Sequence, residues 1–340
     1  MQKSYNYYIL FLILPWFATQ SCVAQQHLTS VFEALTKNEG EKMTLEMDLT
    51  TITAQKRSDQ YFPAAIISGD GTAFKVEVRP RGKFRRKNAF YPPLKLKFKK
   101  KELLNAGFDT LNEIKLVLPC YENQLGDELV IREYLAYKIY ERLSPASVRA
   151  RLIKLTIHDT HVEKSKKTMY AILVEDEEET CARIGGSPVE QYGISPDSLH
   201  TNQAALMVVF EYMIGNTDWE ISMLRNVRLV KGHESSKIIA MPYDFDFSGL
   251  VSAPYSSPAS DTGLKTVRDR FLMPSGIKPE SLKRALSLIR KSKSDIYAIC
   301  QSKYLSRDAV EDISLFLDTF FDKIAENDEM PQLLKMPESD

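Results

Sequence analysis

The hydrophobic period of this chain switches from two to nearly four and back, and that limits the folds open to it. Leu94-Lys-Leu-Lys-Phe98 sets Leu94, Leu96 and Phe98 on one face and Lys95, Lys97 and Lys99 on the other, the alternation of a half-buried strand. Residues 43–54, Tyr61 to Ser68 and Phe74 to Arg79 also read as strands, with Gly69-Asp-Gly71 as a hairpin turn between the last two. Ile114 to Leu118 reads as a buried strand. Glu128 to Leu143 then carries Ile131, Leu135, Ile139 and Leu143 at fourfold spacing, which predicts an amphipathic helix stopped by Ser144-Pro145. Arg149 to Ile157 and Thr168 to Val174 return to strand patterning as an antiparallel pair, closed by the acidic run Glu175 to Glu179.

After about residue 185 the pattern is helical. Ser198 to Gly215 predicts a long helix with Leu206, Val209, Phe210 and Met213 on one face, and two more helices are expected around Lys278 to Leu305 and Ser306 to Glu326. With 44% hydrophobic residues in 340, the chain can bury a sizeable core. The expected class is α+β, divided into a signal peptide (1–24), a lead-in (25–42), an N-terminal lobe of strands plus one helix (43–180), a C-terminal lobe (181–328) and a polar tail (329–340).

Residues 1–24 have a short basic start, an apolar run from Tyr7 to Ala18 and small residues before polar sequence, the build of a secretory signal peptide. The run is shorter than the roughly 20 residues of a membrane span. Export to the periplasm or the exterior is expected, with cleavage after Ala24 and no stable span afterwards. Lipid attachment at Cys22 is the rival, though Thr-Gln-Ser before it is a poor lipobox. The other cysteines, Cys120, Cys181 and Cys300, have no CxxC spacing, so neither a disulfide framework nor a zinc site is expected. The net charge of zero speaks against nucleic-acid binding by the whole chain. Yet Arg79 to Lys101 holds eleven basic residues in 23 and no acidic one.

The residues suited to chemistry lie mostly between Gly215 and Gly249. Asp218 sits in a loop after the long helix, Asn226 follows eight residues later, and a predicted hairpin ends in Asp244-Phe-Asp246. Phosphotransferases of the protein-kinase type use that order: a loop Asp orients the acceptor hydroxyl, an Asn and a later Asp hold metal. Magnesium prefers oxygen ligands, and two Asp separated by one residue project on the same side of a strand. Asp246 alone can also be read as a turn cap with Ser248 and Gly249. Arg81 with Gly82, and Lys95 or Lys97, can hold nucleotide phosphates, although alternating lysines also suit a solvated sheet face. Glu175 can lie at the hinge between lobes or simply open a solvated acidic run.

These segments resemble the kinase-like family of the spore coat protein CotH over roughly residues 60–325. The resemblance rests on Arg81-Gly82, the Leu94-Lys-Leu-Lys-Phe98 segment, Asp127 with Arg132, Tyr170 to Glu175, Asn216-Thr-Asp218, Asn226, and Pro242-Tyr-Asp-Phe-Asp-Phe-Ser-Gly249. It implies an atypical protein-kinase-like two-lobed fold, with an antiparallel-sheet N-lobe and a mainly helical C-lobe. It also implies phosphoryl transfer from Mg–ATP to a Ser, Thr or Tyr hydroxyl of a protein substrate. Under it Asp218 is the catalytic base, Arg81, Lys97 and Glu175 contact the nucleotide, and Asn226, Asp244 and Asp246 hold Mg²⁺. From another class, a non-catalytic exported module that binds a surface polymer or partner protein fits the same segments; so does a metal-dependent hydrolase.

Overall fold

The computed structural model describes residues 28–326, so the predicted signal segment, Cys22 and the polar tail from 329 onward lie outside the described residues. Seven strands form one sheet: β1 (Glu41–Met47), β2 (Phe62–Ile67), β3 (Ala73–Pro80), β4 (Leu94–Phe98), β5 (Glu113–Val117), β6 (Ala150–Asp159) and β7 (Lys166–Glu175). Their order is β1-β2-β3-β4-β5-β7-β6, and β6 pairs back onto β1 to close a barrel.

The closure corrects the expected fold. A two-lobed kinase-like arrangement with an antiparallel N-terminal sheet is not what this chain adopts. Strands β1 and β6 run parallel, in register from Glu41 with Ile153 to Met47 with Asp159, so the sheet is mixed and has no free edge. The sequence shows that both segments have one apolar face, but a pairing between residues more than 100 positions apart leaves no local signature. The barrel interior takes the inward residues of each strand, among them Leu45, Ile66, Val78, Leu96, Ile114, Leu155 and Leu173, and helix α1 (Val31–Leu35) adds Val31, Phe32 and Leu35. Burying each such side chain contributes about 1.5–3 kcal/mol.

A second correction is local. Residues 43–54 were expected as one strand, but β1 stops at Met47 and α2 (Leu49–Ala54) begins. Asp48 caps that helix, accepting the Thr51 N–H at 2.8 Å. Alternating Leu and Thr look extended in sequence; a capping Asp lets the same residues wind.

Helix α3 (Phe84–Asn88) lies between β3 and β4, and α4 (Lys100–Asn105) follows β4. Helix α5 (Gln124–Leu143) is buried along most of its length and lies against the outer faces of β6 and β7. It joins a second core with the chain beyond the barrel: α6 (Glu177–Ile184), the small sheet β8 (Gly186–Pro188), β9 (Val227–Gly232) and β10 (Ile238–Pro242), and helices α7 (Thr201–Ile214), α8 (Pro279–Lys291), α9 (Lys293–Cys300) and α10 (Arg307–Glu326). The predicted helix at 278–305 is thus two helices, which part at Ser292. Among the described residues no helix is long and apolar enough to cross a membrane.

One close approach fixes the loop at the end of α7 against the segment after β10. Gly249 N–H donates to Gly215 O at 3.1 Å, and Leu250 N–H to Ile214 O at 3.0 Å. Gly215 ends α7 at φ +67°, and a Cβ on Gly249 would lie 2.4 Å from the Val267 carbonyl oxygen. Only glycine fits both demands without displacing backbone.

Candidate functional site

The loop after α7 is built around Asn216. Its backbone N–H donates to Glu211 O and its Nδ2 to Glu211 Oε2, both at 2.9 Å, while its Oδ1 accepts the Asp218 N–H at 3.0 Å. Trp219 Nε1 closes the turn onto Asn216 O at 3.2 Å. Glu211 has no exposed surface, and burial holds its carboxyl well above the usual range. The carboxylate of Asp218 is therefore presented by a loop anchored at both its backbone and its root.

Asn226 reaches that carboxylate directly, donating from Nδ2 to Asp218 Oδ2 at 2.9 Å and to Asp218 O at 2.7 Å. Both Asn226 and Asp244 have positive φ, +52° and +68°. Left-handed backbone at non-glycine residues costs about 1–3 kcal/mol and gathers at functional sites. Asp244 is pinned by its N–H, which donates to the Tyr137 hydroxyl of α5 at 2.9 Å. Burial, with the nearby Asp244 and Asp246 carboxylates, pushes Asp218 up to about 6, against the pull of Arg225 and Asn226.

Asp244 and Asp246 share a partner that the sequence reading did not assign. Arg85, from α3, donates to Glu133 Oε2 at 2.6 Å, to Asp246 Oδ2 at 2.8 Å and to Asp244 Oδ1 at 3.3 Å. Asp246 also accepts the Tyr255 hydroxyl at 3.1 Å. Three carboxylates thus converge on one guanidinium. Burial raises both Glu133 and Asp246 above ordinary carboxylate values despite Arg85. Asp244 differs from its neighbours in access: its side chain is 36% exposed, against 7% for Asp246 and 2% for Glu133.

A basic wall adjoins these acids. Lys115 Nζ lies 5.4 Å from the Tyr243 ring centroid and Arg228 Cζ 5.1 Å, and Tyr243 is the residue before Asp244. Lys115 pairs with Asp176 at 3.5 Å; Lys95 pairs with Glu113 at 2.5 Å and approaches Asp176 at 3.9 Å. Arg81 stands close enough to repel Lys115. Burial first, then Arg228 and Arg81, bring the Lys115 amine down to about 7.

The structure therefore brings Asp218, Asn226, Asp244 and Asp246 into one cluster, with Arg81 in the wall beside it. Lys97 lies elsewhere on the barrel exterior, over the Tyr61 ring at 5.3 Å. The Glu175 carboxylate has no exposed surface and is held by Arg149, Arg183 and Thr180, while its carbonyl accepts from Arg228 at 3.0 Å. Arg85, Glu133, Tyr137, Lys115 and Glu211 are the residues that sequence reasoning missed. The usable signal was a Glu among the apolar residues of α5 and a Lys inside the buried strand β5, since neither is buried without a partner.

No family model matches the chain, and no curated protein is significantly similar to it. Among solved structures the chain is similar to the Helicobacter pylori proinflammatory kinase CtkA, at 13% identity and a TM-score of 0.36, covering 66% of this chain and 88% of that one. That is a distant likeness to a kinase at most, too low to assign a fold or an activity, and no comparison points to the CotH family.

Proposed function

We propose that this protein is a phosphotransferase that moves a phosphoryl group from Mg–ATP to a Ser, Thr or Tyr hydroxyl of a protein substrate. The observation that carries the reading is the meeting of Asp218, Asn226, Asp244 and Asp246 beside the wall of Arg81, Lys95, Lys115 and Arg228. The resemblance of the same segments to the CotH family supports it. With the export expected from residues 1–24, the reaction would take place in the periplasm or outside the cell.

The donors suit Mg²⁺ because all are oxygens. Among the described residues no group of three or more His, Cys, Asp or Glu stands in metal-holding geometry. Magnesium commonly takes only one or two protein carboxylates and completes its shell with phosphates and water, so Asp244 and the Asn226 amide oxygen would hold it. When bound, it would neutralise charge on the transferring phosphoryl oxygens. Lys115 and Arg81 would orient the phosphates. Asp218, ionised above about pH 6, would accept the acceptor hydroxyl's proton, and Asn216 keeps its carboxylate aimed.

A second reading, a non-catalytic binding module, draws on Arg85. Its guanidinium already bridges the three acids and so occupies the position a metal would take. Thermal shift separates the two. Mg–ATP should raise the melting temperature of the wild type, and Asp244→Ala should abolish the shift. No shift in the wild type would leave the binding module as the reading.

A further inference from the structure

We propose that the cavity beside Asp218 receives an apolar side chain of a polypeptide acceptor, next in sequence to the hydroxyl that is phosphorylated; this rests on the phosphotransfer reading above. The cavity measures about 320 Å³, and Ile194, Leu199, Trp219, Ile221 and Met273 supply its apolar wall. Its link to the reacting centre is Arg225, which lines it and brings Nε within 3.7 Å of Asp218 Oδ1. Glu220 and Arg225 exchange backbone hydrogen bonds at 2.9 and 3.0 Å, which fixes the part of the wall that carries Arg225.

Charge and size select the occupant. The lining sets Glu220 and Asp261 against Arg225, which repels a polyphosphate, whereas Arg81, Lys95 and Lys115 stand in the wall that attracts one. The volume stands at the low end of the roughly 300–1,000 Å³ typical of ligand pockets, suited to one large side chain. A polypeptide supplies both demands at once: a side chain for the cavity and a neighbouring hydroxyl for Asp218.

The test needs no chemistry. Fluorescein-labelled heptapeptides of alanine with a central serine, carrying leucine or aspartate on either side of it, are titrated with the protein by anisotropy. One of the leucine peptides should bind at least tenfold tighter than its aspartate counterpart. Met273→Trp and, separately, Ile194→Trp fill the cavity and should erase that ratio while leaving the Mg–ATP thermal shift intact; a retained shift also shows that the variant is folded. Equal binding of leucine and aspartate peptides, no binding of any, or a ratio that survives both fillings overturns the proposal. Peptide discrimination without any nucleotide shift would instead remove the phosphotransfer reading and leave the pocket standing.

Discussion

Two buried clusters of arginine and carboxylate lie within this molecule, and they are balanced in opposite ways. At the end of β7, Glu175 has two guanidinium groups, a hydroxyl and a backbone N–H around one carboxylate: Arg149, Arg183, Thr180 and the N–H of Arg149. Burial would raise its pKa, yet Arg183 and Arg149 hold it below the ordinary value. Around Arg85 the ratio is inverted, with three carboxylates to one guanidinium, and burial leaves Glu133 and Asp246 raised. A cluster that holds its central acid ionised is finished as structure, as Glu175 is even though Arg149 also meets Glu33 at 3.2 Å and Glu179 at 3.3 Å. One that undercompensates its acids has affinity left for a further cation, and that distinguishes a candidate site from a joint.

The largest effect should come from the finished cluster. Glu175→Ala takes the shared, buried acid from the half-buried Arg149 and Arg183, leaving Arg149 only Glu33 and Glu179, and removing one partner of a buried pair costs about 3–5 kcal/mol. Urea unfolding would read this as a lower midpoint at unchanged slope. A loss under about 1 kcal/mol would show that the joint is not held by charge, and the contrast between clusters would collapse.

Next comes Arg85→Met, which sets three carboxylates together with no cation. Destabilisation of about 2–4 kcal/mol is expected, again the cost of a broken buried pair. Unlike the first variant, this one should recover with millimolar Mg²⁺, because a cation that binds only the folded state stabilises it by about 2.7 kcal/mol at a hundredfold its Kd. Melting with and without Mg²⁺ checks the difference. Equal Mg²⁺ sensitivity of Arg85→Met and Glu175→Ala would erase the difference between the two clusters.

A smaller effect is expected from Asp246→Asn. The amide oxygen can still accept from Arg85 Nε and the Tyr255 hydroxyl, while Glu133 and Asp244 retain their share of the guanidinium. Losing one of three crowded negative charges offsets the weakened pair, so stability should stay within about 1 kcal/mol of wild type. A loss as large as that of Glu175→Ala would mean that Asp246 is structural in the same sense.

The sequence's legibility follows the distance over which each feature is assembled. Asp218, Asn226, Asp244 and Asp246 lie within one segment whose loop, hairpin and glycines are local signals, so their grouping was readable. Arg85, Glu133 and Lys115 come from α3, α5 and β5, and only the packing of α5 and the barrel on the later chain brings them near that segment. Inward alternation of Leu94, Leu96 and Phe98 was readable for the same local reason. The parallel β1–β6 pairing was not, and with it went the shape of the whole N-terminal half. Lys97 and Lys95 have the same alternation in sequence; which of them meets Asp176 is set by the register of β4 on β5.

Lys115 lies between the two clusters, touching Asp176 next to Glu175 and Tyr243 next to Asp244, and it gives the finest test. Its amine is brought down to about 7, first by burial and then by Arg228 and Arg81, from the ordinary lysine value of 10.5. Between those two pH values the unfolded chain holds more protons at this position than the folded one, so stability rises with pH. Below about 7 both states are protonated and the slope vanishes. Glu179, which burial pushes up to about 7, titrates nearby with the opposite sign, but Lys115→Met retains it and it cancels in the difference. Measured from pH 7 to 9, the wild type should therefore gain stability relative to Lys115→Met. Adding ATP should flatten that gain, because a phosphate beside the amine restores its proton. Parallel curves for the two proteins without nucleotide would show that Lys115 is charged as it stands, and the wall beside Asp244 would then be as compensated as the joint at Glu175.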